Sequence, residues 1–75
     1  MVSERMGKIR RGNYIFVWFI GDHSPPHVHV YRDASLVLKW DLAGNRPMAG
    51  SINARLRGLI EELRREGVFS EIIKD

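Results

Sequence analysis

No cysteine occurs in the 75 residues, which excludes disulfides and thiolate metal sites together. Proline is scarce: three residues, two of them adjacent at Pro25-Pro26. Long apolar runs are missing as well. The longest, Tyr14 to Ile20, has seven residues, far short of the roughly 20 needed to span a bilayer. Met1 to Gly12 is basic and polar and lacks the apolar stretch of a secretion signal. These absences predict a cytoplasmic protein without membrane association. They also leave few supports for the fold, because a domain of this size is marginal on burial alone. What remains is a metal held by His and carboxylate, a partner chain, or tight packing. The length allows one domain over 1–75, and 28% charged with 44% hydrophobic residues fits a folded chain rather than a disordered one.

The net charge of +3 is unevenly spread. Arg5, Lys8, Arg10 and Arg11 face only Glu4 within residues 1–13, whereas residues 61–75 hold Glu61, Glu62, Glu66, Glu71 and Asp75 against three bases. Residues 1–8 read as a flexible basic arm able to meet phosphates or an acidic partner. The plainer reading is a solvated tail, since four bases are few for a dedicated nucleic-acid binder.

Tyr14-Ile-Phe-Val-Trp-Phe-Ile20 is β-branched and aromatic on both alternating faces, the pattern of a strand buried on both sides. After Gly21 and the Pro-Pro bend, His27-Val-His-Val-Tyr-Arg32 alternates strictly. His27, His29 and Tyr31 point one way, and Val28, Val30 and Arg32 the other. Leu36 to Leu42 alternates again, with Leu36, Leu38, Trp40 and Leu42 expected on the core face. Met48-Ala49 is a candidate short fourth strand. Ile52, Leu56, Leu59, Ile60 and Leu63 make one apolar stripe on a helical period, with Ser51 as a candidate N-cap and Gly67 as the residue that ends the helix. Val68, Phe69, Ile72 and Ile73 suit a short terminal helix that folds back on the sheet or docks on a partner.

The expected fold is therefore α+β: a three- to four-stranded, mainly antiparallel sheet covered on one face by a C-terminal amphipathic helix. The meander runs over 14–49, the main helix over 51–66 and a short second helix over 68–74.

All three histidines fall within seven residues, in Asp22-His23-Ser24-Pro25-Pro26-His27-Val28-His29. His27 and His29 share a strand face, roughly 6–7 Å apart at their origins. Three chemical readings stay open. In the first, His23, His27 and His29 ligate zinc or another divalent metal with a position left for water. In the second no cofactor is needed: His27 and His29 act as an acid–base pair that cleaves an RNA phosphodiester, with His23 and Asp22 in support. Arg10, Arg11, Arg32 or Lys39 would then neutralise the phosphate. In the third, Asp22 and His23 tie down the turn and the strand histidines pack beside Tyr31. A partner or nucleic-acid surface using His and Tyr as flat contacts is a further option. Trp18 and Trp40 are expected in the core, and Arg55 and Arg57 on a solvated helix face.

The string Asp22-His-Ser-Pro-Pro-His-Val-His-Val30 resembles the D-H-x-P-P-H-x-H-V signature of a family of small bacterial domains of unknown function. The resemblance covers roughly residues 8–65: an aromatic strand before the motif, two strands after it, then a leucine-rich amphipathic helix. The matching positions are Asp22, His23, Pro25, Pro26, His27, His29 and Val30. Family helices commonly continue into an acidic, Trp-containing end, whereas this chain breaks at Gly67 and closes with Phe69-Ser-Glu-Ile-Ile73. The resemblance implies a component of a toxin–antitoxin-type pair, with a small cognate protein encoded nearby. The resemblance implies no mechanism; from the histidine cluster and the basic residues, His-dependent RNA cleavage or RNA binding is the activity to expect. A non-catalytic, antitoxin-like binding module, a homodimer and a small metal-stabilised domain are the alternatives.

Overall fold

The computed structural model describes residues 5–20 and 25–73. Five strands and one helix follow in order: β1 (Arg5–Arg11), β2 (Tyr14–Ile20), β3 (His27–Arg32), β4 (Ser35–Asp41), β5 (Arg46–Gly50) and α1 (Ala54–Arg65). The strands form one sheet in the order β1-β2-β3-β4-β5, every neighbouring pair antiparallel. The α+β class and the meander match the sequence reading. The strand count does not: there are five rather than three or four. The described part of the expected flexible arm, residues 5–8, lies within β1 and pairs in register with β2 from Arg5↔Ile20 onward. The Met48-Ala49 candidate grows into β5.

Turn chemistry sets the register. Gly12, at φ 62°, opens a two-residue hairpin turn between β1 and β2, which needs a positive φ at its first central position. Asp33 and Ala34 link β3 and β4 with both φ values positive, 51° and 66°, a turn that matches the strand twist. Between β4 and β5, the Asp41 carboxylate accepts hydrogen bonds from the backbone N–H groups of Ala43 and Gly44, each at 2.9 Å. Asp41 is itself 6% exposed, so these bonds satisfy a buried acceptor.

One face of the sheet carries the core. Tyr14, Phe16 and Trp18 of β2, Val28 and Val30 of β3, and Leu38 and Trp40 of β4 join Leu42, then Leu56, Ile60 and Leu63 of α1. At β2 the expectation of burial on both sides is corrected. Ile15, Val17 and Phe19, on its other face, are half-buried, because α1 covers the sheet from one side. Leu36 is also corrected: it is 50% exposed, since a register shift opposite Val30/Tyr31 breaks the alternation and Val37 packs against the core instead.

The helix is shorter than the expected 51–66. Its N-cap is Asn53, not Ser51: the Asn53 side-chain oxygen accepts from Leu56 N–H at 2.7 Å. Its end is as expected at Gly67, φ 81°, where Val68 N–H donates to Leu63 O and Gly67 N–H to Arg64 O, the paired bonds of a Schellman cap. Arg64 reaches across to donate to Leu42 O at 2.7 Å. The expected second helix over 68–74 is a series of turns through residue 72, and residue 74 lies outside the described residues. So short a segment, begun at a positive-φ glycine, cannot repay helix nucleation. It folds back instead: Phe69 is fully buried and meets Trp18 edge-on, with ring centroids 5.2 Å apart. Among the described residues no helix is long and apolar enough to cross a membrane.

Candidate functional site

Strand alternation sends every second residue to the sheet face that α1 leaves open. The register fixes who meets whom there. Lys8 pairs with Val17, Val17 with His29, His29 with Lys39, and Lys39 with Ala49. One row thus crosses all five strands, with His29 near its middle and a lysine on either side. Adjacent strands are about 4.8 Å apart, so Lys39 is the direct neighbour of His29 and Lys8 lies two strands away.

His27 stands two residues from His29 on the same face, and the two imidazole centroids are 5.1 Å apart at an interplanar angle of 75°. Phe19 lies edge-on to His29, centroids 5.7 Å apart, two residues beyond Val17, the register partner of His29. Phe19 and His27 thus both meet the His29 ring, all three half-buried on the face away from the helix. His27 Nδ1 is 2.9 Å from Pro25 O. A carbonyl oxygen only accepts, so Nδ1 carries the hydrogen, and in the neutral ring the lone pair is on Nε2. The Pro-Pro segment therefore orients the ring as well as turning the chain. Its second carbonyl, Pro26 O, accepts from Leu42 N–H at 2.9 Å and anchors the segment to the end of β4. Asp41, in register with His27, is turned to its own loop and ion-pairs with Arg46 at 3.8 Å.

Of the other sequence candidates, Asp22 and His23 lie outside the described residues. The metal reading required His23; among the described residues no group of three His, Asp or Glu comes together. The proposed phosphate contacts separate. Arg10 is exposed on the open face, in register with Ile15. Arg11, one residue on, turns to the helix side. Its guanidinium donates two hydrogen bonds to the Glu66 carboxylate, each 2.9 Å, and lies 3.3 Å from Glu62. That bidentate bond raises the Arg11 pKa and holds the Glu66 carboxyl below its ordinary value. Arg32, at the end of β3 away from His27, is exposed, with Nε 4.0 Å from the Asp33 carboxylate. Arg57 lies over the Trp40 ring at 5.5 Å, so it belongs to the helix side. Sequence reasoning missed Phe19 and Lys8 as neighbours of the pair. The signal for Phe19 was its odd-numbered place in the aromatic strand; that for Lys8 required knowing that β1 pairs with β2.

Family models, curated proteins and solved structures were each compared with this chain, and none matches it.

Proposed function

We propose that this chain acts on RNA through its open sheet face, with His27 and His29 as the acid–base pair of phosphodiester cleavage. The toxin–antitoxin setting comes from the sequence resemblance alone. The observation that carries the chemistry is the 5.1 Å pairing of two imidazoles, one of them with a lysine as its cross-strand neighbour.

The steps follow from these positions. His27, its Nδ1–H bonded to Pro25 O, takes the proton of a ribose 2′-OH on Nε2. The 2′-oxygen attacks the adjacent phosphorus, and the bond from phosphorus to the 5′-oxygen breaks. Protonated His29 gives its proton to that leaving oxygen. The products are a 2′,3′-cyclic phosphate and a free 5′-OH, and the pair has exchanged protonation states. Lys39 and Lys8 face the charge that builds on the phosphoryl oxygens. Phe19 offers a ring on which a base can stack.

The test is cleavage of a mixed-sequence RNA oligonucleotide, beside a copy with 2′-deoxyribose throughout. His27→Gln and His29→Gln should each lower the rate by about 10²- to 10⁴-fold with an unchanged circular dichroism spectrum. The deoxy copy should stay intact. Cleavage that survives both substitutions, or a wild-type chain that cuts no RNA, overturns the proposal. One observation favours a second reading. Met6, in register with Phe19 on the same face, is 52% exposed, which suits a non-catalytic module that covers this face with a partner protein. Copurification of a protein whose binding is lost on Met6→Glu but unaffected by the histidine substitutions would support that reading.

A further inference from the structure

An open sheet has two edges, and here they differ. β5 is short, five residues, contains Pro47, and its pairing with β4 is broken by a register shift between Lys39 and Trp40. Each feature guards an edge against further pairing. β1 has none of them. Its seven residues pair with β2 without interruption, and it lies at the end of the strand order. Alternate backbone N–H and C=O groups of β1 therefore point away from the sheet, and among the described residues no strand meets them.

Four of the seven β1 residues are cationic, Arg5, Lys8, Arg10 and Arg11, and none is acidic. Arg11 is committed to Glu66, while Lys8 and Arg10 are exposed. A second copy is a poor occupant. Full antiparallel overlap of two β1 strands sets Lys8 against Lys8 and Arg5 against Arg11, and like charges directly opposite repel. The chain's own acids between 61 and 66 sit on α1 and its cap. We infer that the β1 edge is a docking site for an extended acidic segment of another protein, which adds to the sheet as a sixth strand. Backbone hydrogen bonds supply the pairing, and alternate carboxylates opposite Lys8 and Arg10 supply the selectivity. The site shares Lys8 and Arg10 with the open face, but β1 edge pairing leaves the rings of His27 and His29 uncovered.

The test uses the isotope-labelled full chain and three blocked peptides of about nine residues: alternating Glu and Thr, alternating Lys and Thr, and the Glu-Thr peptide N-methylated at every second residue. With the Glu-Thr peptide, alternate β1 amides should slow in hydrogen exchange by about tenfold or more, while β5 amides stay as they were. Binding should weaken as salt rises. The Lys-Thr and N-methylated peptides should leave β1 unchanged. Lys8→Glu with Arg10→Glu should reverse the preference towards the Lys-Thr peptide, and intact exchange protection in β2 to β4 shows that this variant is folded. No response in β1, a response confined to β5 or to the open face, equal binding of the N-methylated peptide, or a β1-protected dimer without peptide would each overturn the inference.

Discussion

Replacing Gly7 with alanine should destabilise the fold, although that change often helps elsewhere. Removing a glycine's unfolded-state freedom stabilises by about 0.4–1 kcal/mol where the native backbone accepts alanine. The Gly7 backbone is no obstacle, since its φ is not positive. The obstacle is a ring. Gly7 is the register partner of Trp18, and a Cβ at position 7 would overlap Cε2, Cζ2 and Nε1 of the indole. Trp18 is 4% exposed and wedged against Phe69, so it cannot swing aside without opening the core. Overpacking of this kind costs about 1–3 kcal/mol, which leaves a net loss of about 1–2 kcal/mol after the entropic gain. For a domain of this length the melting temperature should fall by about 5–15 °C. Urea and thermal unfolding followed by tryptophan fluorescence measure the loss. In a Trp18→Leu background the same substitution should be neutral or stabilising, so the two sites should couple in a double-mutant cycle. A wild-type chain that gains stability from Gly7→Ala would mean that Trp18 does not lie across β1. The strand pairing that brings Lys8 into the His29 row would then fall with it.

Ala34 holds a left-handed φ of 66°, which a side chain tolerates at a cost; Ala34→Gly should raise the urea midpoint by the equivalent of about 0.5–1 kcal/mol. Asn53→Ala should cost about 1 kcal/mol of stability while Ser51→Ala changes little, because Asn53 alone caps α1; the reverse order in chemical denaturation would contradict the assigned cap. The Glu66 carboxyl is lowered chiefly by its hydrogen bonds from Arg11, with desolvation opposing. Its contribution is therefore complete above the unfolded-state pKa and is lost as pH falls through the lowered folded value. Melting temperatures of wild type and Glu66→Gln should differ at pH 6, and the gap should close progressively as pH falls below the ordinary glutamate pKa of about 4.3; a constant gap down to low pH would contradict the ion pair.

The elements read most readily from sequence were those that bury their own alternating or helical apolar residues. β2, β3, most of β4 and the α1 stripe show this in Phe16, Val30, Trp40 and Leu56. β1 was not legible, because Ile9 is its one residue packed against the core and its neighbour Gly7 is covered by the indole of the next strand. A strand stabilised by its partner's side chain leaves no periodicity of its own. Leu36 and the terminal turns failed for related reasons: a bulge shifts the face of a residue, and a glycine cap redirects Phe69, without altering composition. At the site, the shared face of His27 and His29 followed from their spacing of two. Their neighbours did not, since Lys39, Lys8 and Phe19 reach them through strand register. Register also explains why Arg10 and Arg11, adjacent in sequence, serve opposite faces.

The count of cations separates two ways in which such a face could meet RNA. Arg11 is bound to Glu66, Arg57 lies over Trp40 and Arg64 donates to Leu42 O, so all three belong to the helix side. The register puts Lys8, Arg10, Lys39 and Arg46 on the open face; Arg46 is ion-paired with Asp41, which leaves the first three for phosphates. Three phosphate contacts imply a salt slope of about −2 for a single strand, against the larger slopes of proteins that make six to ten contacts. A protein that worked by holding RNA would need more positive surface than this sheet has. A protein that turns RNA over needs only transient residence beside a base and an acid, at the micromolar to millimolar substrate affinities ordinary for enzymes. If the open face acts on RNA as proposed, the sparse charge and the close imidazole pair fit turnover rather than storage. They also make the histidine substitutions, rather than removal of any one cation, the decisive perturbation of the open face.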